Sequence, residues 1–294
     1  MNIKVMKTFC QVVDSGSFSK AAQESGISQS AVSQQLASLE REFCTQLLSR
    51  GGGLVVPTEA GRMLYQGAGE IVRRYEQVLG ELRSAADVVR GVLRVGVIYS
   101  VGFYMLNPYL RKFIGAYPEV TLRVEYTRGN RISAAIVSGE MDLGVVAYPE
   151  KQRSIEVIPL ASEELVVVCC PKHPLAGRSR IDPADLKGQR FVAFEANIST
   201  RRYIDRLLKA HRVQVETVME FDNIETLKRA VEVDAGLSIL PVGNVEREVA
   251  GGYLCYSRFR HPARWNRQIA VIRRRGKGFS PAEREFLGVL RSKP

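Results

Sequence analysis

Residues 18–43 read FSKAAQESGISQSAVSQQLASLEREF and describe two helices joined by a tight turn. Ser19 stands where it can cap the first helix, and Ala21 and Ala22 are small enough to let a second helix cross closely. Gly26 stops that helix, because glycine takes a left-handed backbone at little cost. Ser28 then caps the next helix by accepting from an orphan backbone N–H. Three- and four-residue spacing places Ala31, Val32, Leu36 and Leu39 on an inner face. The other face offers Gln29, Ser30, Ser33, Gln34 and Gln35. A helix fits the major groove, where amides and hydroxyls read base edges. An amphipathic pair with a solvated Ser/Gln face is the alternative, but solvated faces usually carry Lys and Glu, which have better helix propensity than Ser. The expectation is a helix-turn-helix in which Gln29, Ser33 and Gln34 meet bases, with Ser28 at the cap and Ser30 and Gln35 leaning toward the DNA backbone.

On the N-terminal side, residues 3–13 carry Val5, Phe9, Val12 and Val13 at helical spacing, which completes a three-helix core. On the C-terminal side, CTQLLSRGGGLVVPTEAG predicts a short strand over 46–49, a turn at Gly51, Gly52 and Gly53, and a returning strand over 54–56. This hairpin is the wing of a winged helix. Arg50 stands at its turn, within reach of a phosphate or the minor groove.

These features together resemble the DNA-binding domain of LysR-type transcriptional regulators. The matching motifs are FxxVVxxGSFSxAA at the start, SQSAVSQQLxxLE in the recognition helix, then LLSR and PTEAG, covering residues 1–61. Phe43–Cys44 stands where the family usually has Leu-Gly, Leu47–Leu48 where it often has Leu-Phe, and the glycine turn is richer than usual. The resemblance implies a bacterial, sequence-specific regulator that binds double-stranded DNA at a two-fold related promoter site. It also implies homodimers or homotetramers, and it leaves RNA polymerase as a further contact.

Thr58 and Glu59 open a long helix, suited to capping and to the helix dipole. Its apolar positions, Leu64, Ala68, Ile71, Tyr75, Val78, Leu82, Ala85 and Val89, alternate steps of four and three, the mark of a heptad seam. A helix over 58–89 spans about 48 Å at roughly 1.5 Å per residue. Such a seam calls for a second copy, and the alternative is a linker lying on its own chain. The resemblance implies the dimerising linker helix.

From Gly91 onward short apolar runs alternate with amphipathic segments, which predicts an α/β fold with mostly parallel sheets. This part resembles the effector domain of the same family, two lobes like those of periplasmic solute-binding proteins. The anchors are VTLRVEYTRG, SGEMDLGVV and AVEVDAGLSILP. The domains are expected at 1–57, 58–90 and 91–294, with lobe one at 91–161 plus 268–294 and lobe two at 162–267. DNIETLKRAVEVDAGLSILP faintly resembles a branch of the family that handles sulfur or inorganic carbon metabolism.

Ligands of open α/β sheets sit beyond strand carboxyl ends, at helix N-termini. Three places fit: Ser100, Val101 and Gly102 after the first strand; Thr127 to Asn130 after the second; and Ser199 and Thr200 before a helix. Their hydroxyls and backbone N–H groups suit a small anionic effector of unknown identity, although plain helix caps would look the same.

A formal charge of +11 and a pI near 9.6 favour a polyanionic partner. Arg258, Arg260, Arg264, Arg267, Arg273, Arg274, Arg275 and Lys277 make the tail basic, and a solvated face or a subunit contact is its usual fate rather than DNA. No run approaches the roughly 20 apolar residues of a membrane helix. MNIKVMKTFCQVV has no signal-peptide layout, so the cytoplasm is the expected location. Cys10, Cys44, Cys169, Cys170 and Cys255 show no metal spacing, and neither a metal site nor a cofactor is expected. A redox role for Cys169 and Cys170 is the alternative to buried reduced thiols. No nucleophile elbow, P-loop or dinucleotide fingerprint supports an enzyme. A solute-binding or enzymatic α/β domain with an accessory helix-turn-helix is the competing function.

Overall fold

The structure is a computed structural model that describes residues 2–51, 54–83 and 89–292. Two compact units divide the chain, Met1–Gly91 and Val92–Pro294.

The N-terminal unit contains α1 (Ile3–Ser15), α2 (Phe18–Ser25), α3 (Gln29–Glu42), β1 (Leu48–Gly51), β2 (Leu54–Pro57) and α4 (Glu59–Arg83). Phe9, Val12, Ala21, Ala22, Val32, Leu36 and Leu39 share one core with Leu47 and Leu48. Ala31, expected inside, is half-buried in the first turn of α3. The cap of α2 is Ser17 rather than Ser19. Ser17 has the extended backbone a cap needs, and its hydroxyl accepts from the Lys20 N–H. Gly26 ends α2 at φ 65°, and the Ser28 hydroxyl accepts from the Ala31 N–H at 3.2 Å, as their positions predict.

The hairpin begins later than expected, pairing Leu48 with Pro57, Ser49 with Val56, Arg50 with Val55 and Gly51 with Leu54. Gln46 and Leu47 are held by other partners. The Leu47 N–H donates to Glu40 Oε1 at 2.7 Å, and the Thr58 hydroxyl and amide donate to the Gln46 and Leu47 carbonyls. Arg50 is therefore a strand residue and not a turn residue. Its side chain and the turn at Gly52 and Gly53 lie outside the described residues.

Thr58 caps α4, accepting from the Gly61 N–H at 3.0 Å. The expected seam splits in two. Leu64, Ala68 and Val72 pack against Ile3, Met6 and Cys10, so the first part of the helix is absorbed by its own domain. Met63, Ile71, Tyr75 and Val78 remain exposed. The Leu82 side chain and Ala85 lie outside the described residues, and Val89 stands beyond the helix.

The C-terminal unit is a two-lobed α/β body. Lobe one contains β3 (Gly91–Val97), β4 (Val120–Tyr126), β5 (Leu143–Ala147) and the helices α5 (Tyr99–Val101), α6 (Asn107–Ala116), α7 (Gly129–Ser138) and α11 (Pro281–Arg291). A π-helical turn, Gly102–Leu106, joins α5 to α6. Lobe two contains β7 (Arg180–Ile181), β8 (Arg190–Phe194), α8 (Ser199–Ala210), β9 (Glu216–Phe221), α9 (Ile224–Glu232), β10 (Ser238–Pro241), α10 (Glu246–Ala250) and β11 (Cys255–Phe259).

Two strands serve both lobes, β6 (Ile155–Cys169) and β12 (Asn266–Arg274), and they run antiparallel over Ile155–Glu164 with a register shift at Ile269/Ala270. Beyond Glu164, β6 pairs antiparallel with β10 and β11 instead. The sheets are thus mixed rather than mostly parallel, because the two crossing strands must run in opposite senses to leave lobe one and return. Strand alternation then divides lobe two. Leu165, Val167 and Cys169 enter one core with Phe259 and Trp265, while Val166 and Val168 enter another with Leu227 and Leu240. Among the described residues no helix is long and apolar enough to cross a membrane.

Candidate functional site

On α3 the polar side chains divide by what already holds them. Gln34 is exposed, with no partner among the described residues, and Ser33 is half-buried beside it. Gln29 Oε1 accepts from the Ser19 hydroxyl at 2.8 Å, so α2 fixes this amide and leaves its NH₂ to donate. The Ser28 and Ser30 hydroxyls bond each other at 2.9 Å. Gln35 departs from the expected face, since its Oε1 is buried without a partner. The bidentate base contact expected of this face therefore falls to Gln34. Gln34→Ala is expected to cost about 1–3 kcal/mol of discrimination at one base position. Competition gel shifts against single-base variants of the bound site measure it, and an unchanged sequence preference would move the reading face elsewhere.

Glu40, which no sequence signal singled out, ties this helix to the wing through the N–H groups of Leu47 and Leu48, at 2.7 and 3.1 Å.

In the C-terminal unit, side chains from both lobes meet at one junction. Arg128 of lobe one pairs with Glu195 at 3.3 Å and Asp222 at 2.6 Å in lobe two. Glu150 takes Arg202 at 2.6 Å. The rings of Tyr148 and Tyr203 stack with centroids 4.2 Å apart. Tyr104, in the π-helical turn, donates to Glu225 and accepts from Lys228, a lysine with 1% of its side chain exposed. Burial works against the Lys228 charge, but hydrogen bonds with Glu248, at 2.6 Å, and with Tyr104 prevail and hold its pKa above the usual lysine value. Burial, reinforced by Glu225, pushes the Tyr104 phenol up to about 12.

Ser100 sits in this junction with both of its oxygens engaged. Its carbonyl accepts from Asn244 Nδ2 and its hydroxyl from Arg267 Nη1, each at 2.8 Å. Arg267 is buried and pairs with Glu163 through Nε, at 2.7 Å, and Nη2.

The other expected contacts fare differently. Val101 and Gly102 are buried, and both amides donate to the Ile98 carbonyl, so they are not the free N–H groups expected. A Cβ on Gly102 would stand 2.0 Å from the Tyr126 ring, which explains the glycine by packing. The Thr127 amide donates to the Val97 carbonyl, and Asn130 Oδ1 accepts from the Arg131 N–H. Both residues flank Arg128. At α8, Ile198 supplies no side-chain cap, and the first-turn amides of Ser199 and Thr200 have no partner among the described residues. The Ser199 hydroxyl accepts from Arg202 at 3.3 Å, while Thr200 is buried.

The basic tail is largely neutralised inside its own unit. Arg258 pairs with Glu164, Arg260 with Asp182, Arg267 with Glu163, Arg273 with Glu156, and Lys277 with Asp142 and Glu283. Cys169 is buried and its thiol is pushed up to about 12 by that burial, while Cys170 donates to Asp234 at 3.1 Å. Among the described residues no group of three or more His, Cys, Asp or Glu is placed to hold a metal ion.

A family model described as "LysR substrate binding domain" matches residues 86–294. Another, "Bacterial regulatory helix-turn-helix protein, lysR family", matches residues 3–62. The HTH-type transcriptional regulator CysL of Bacillus subtilis is 32% identical over 240 residues, 82% of this chain and 80% of that protein. The CcmR regulatory domain of Synechocystis PCC6803, solved in complex with 2-PG, is 28% identical with a TM-score of 0.63, covering 69% of this chain and 96% of that one. A full-length OxyR variant from Pseudomonas aeruginosa shares the fold at a TM-score of 0.79 and 21% identity, over 99% of this chain and 93% of that one.

Proposed function

The chain belongs to the LysR family of transcriptional regulators, and on that premise we propose that a small anion held between the lobes of its C-terminal unit sets the output of its helix-turn-helix. The chain is a DNA-binding transcriptional regulator with an effector-binding domain. The observation that carries the anion is the state of Ser100. Its hydroxyl oxygen accepts from Arg267 Nη1, so its proton is left to donate, and the donor is polarised by a buried cation. The uncapped N-terminus of α8 adds amide donors and the positive end of a helix dipole. Thr127 and Asn130 stand beside Arg128, which already spans the lobes. The complex of the CcmR domain with 2-PG makes that compound one of the natural probes.

The C-terminal unit then acts by binding rather than by catalysis and requires no cofactor, and the protein works in the cytoplasm, its helix-turn-helix on a two-fold related DNA site, as a homodimer or homotetramer. RNA polymerase is a further partner of that role. An effector switches it only by binding one arrangement of the lobes more tightly than another.

Calorimetry on the full chain with sulfate, phosphate and 2-PG tests the reading. Ser100→Ala is expected to weaken the anion that binds by about tenfold or more, the loss of one hydrogen bond to a charged group. Equal binding by Ser100→Ala and wild type would place the effector elsewhere.

A further inference from the structure

We infer that Arg267 and Glu163 set the charge preference of the effector site through Ser100, Arg267 raising and Glu163 lowering its affinity for an anion. The inference rests on the reading of Ser100 as an effector contact.

Arg267 is among the largest fully buried side chains of the described structure, with 1% of its side chain exposed. It stands near the start of β12, opposite Glu163 on β6, where both strands pass from one lobe to the other. Nε and Nη2 both donate to Glu163 Oε2, and Nη1 donates to the Ser100 hydroxyl at 2.8 Å. One guanidinium therefore bridges a carboxylate on a strand shared by the lobes and a hydroxyl on α5 of lobe one.

Stability alone gives little reason for this pair, because apolar residues of similar volume would serve a core as well or better. What an apolar pair cannot do is fix the Ser100 hydroxyl as a donor. Arg267 has only N–H groups to offer, so Ser100 must accept from it and present its proton to another group. Glu163 then sets how much positive charge that other group feels. With the carboxylate bound to it, the guanidinium is close to neutralised as a pair. The charges also reach Tyr148: Arg267 favours the ionised phenol and Glu163 opposes it, although burial dominates and raises its pKa. Tyr148 stacks on Tyr203 of the other lobe, so the charge pair lies within the lobe junction and not behind it.

A structural role and a charge-setting role predict opposite results for Glu163→Gln. If the pair only holds the lobes together, either single substitution leaves a buried charge unpaired and weakens binding. If the pair sets charge preference, removing the carboxylate while keeping an amide oxygen for Arg267 exposes the cation to the ligand.

The experiment is calorimetry and thermal unfolding on the full chain with sulfate, phosphate and 2-PG, in wild type, Ser100→Ala, Glu163→Gln, Arg267→Gln and the double variant. Glu163→Gln is expected to tighten the anion that binds by about tenfold, and Arg267→Gln to weaken it by a similar factor. Both single variants should melt below wild type. The double variant, with neither charge left alone, should recover thermal stability and still bind more weakly than Glu163→Gln. If Arg267→Gln fails to fold, the signs for Glu163→Gln and the double variant decide. Weaker or unchanged binding by Glu163→Gln, with Ser100→Ala weakened, overturns the charge-setting role and leaves the effector site standing. No binding of any probe to wild type, or equal binding by Ser100→Ala, overturns the effector site and this inference together.

Discussion

Gly61→Ala is expected to abolish DNA binding without touching any residue that faces DNA. Gly61 lies in the first turn of α4, and a Cβ there would stand 2.0 Å from the Leu47 carbonyl oxygen, 3.0 Å from its carbon and 3.2 Å from Pro57 Cβ. The first two are backbone atoms, so no rotamer change relieves them. The Leu47 carbonyl also accepts from the Thr58 N–H, and the Leu47 N–H is held by Glu40 of the recognition helix. Moving Leu47 therefore disturbs the α4 cap, the wing and α3 at once. Overpacking of a tight site typically costs 1–3 kcal/mol, and a backbone clash this close should exceed about 3 kcal/mol. The better helix propensity of alanine returns only about 1 kcal/mol. Gly67→Ala is the control, since nothing lies within 4 Å of its Cβ position on the same helix, and it should be neutral or slightly stabilising. Gel shift and thermal unfolding of both variants measure the contrast. A Gly61→Ala protein that binds DNA within threefold of wild type would refute it.

A clash such as that of Gly61 with Leu47 joins segments distant in sequence, whereas the parts of the fold legible in the sequence are local. The helix-turn-helix could be read because its signals are local: a cap at Ser28, a left-handed stop at Gly26 and buried positions three and four apart. The same reading set Ser19 where Ser17 serves, since either serine precedes an apolar run and only backbone geometry separates them. Arg50 slipped from turn to strand because side-chain bonds from Glu40 and Thr58 remove Gln46 and Leu47 from the ladder, a tertiary effect.

In the C-terminal unit the apolar runs marked most strands, but β7 is two residues long, and the first half of β6, IEVIPLAS, lacks a continuous apolar run. Helix α11 carries a local signal: Ser280 and Glu283 form a capping box around Pro281. Strand direction was not readable, because alternation of strand and helix says nothing about two strands that serve both lobes. The Arg267–Glu163 pair was hidden for a related reason. Arg267 looked like one more cation of a basic tail, yet it shares strand parity with Ile269 and Val271, which are buried. Arginine is so seldom buried that parity alone did not argue for it, and its partner Glu163 lies over a hundred residues away in sequence.

Ile71→Asp combined with Val78→Asp is expected to reduce the protein to monomers and, with that, to weaken binding to a two-fold related site to the level of a single half-site. Met63, Ile71, Tyr75 and Val78 are 71%, 49%, 46% and 37% exposed, while Ala68 and Val72 on the same helix are buried against Met6. Among the described residues the helix thus has one apolar face packed within its own domain and a second that is exposed. Ile71, Tyr75 and Val78 follow steps of four and three, the spacing that lets two helices interlock. A second copy of α4 is the expected occupant of this face, and it would give the two recognition helices the symmetry of a palindromic site. An unpaired carboxylate buried in that contact costs several kcal/mol, and two-fold symmetry counts each substitution twice. The N-terminal core should keep its melting temperature, because neither residue belongs to the clusters around Phe9 or Met6. Light scattering across micromolar concentrations, paired with gel shifts on whole and half sites, gives both readouts. A double variant that stays dimeric and binds the whole site as wild type does would assign the assembly to the C-terminal unit instead.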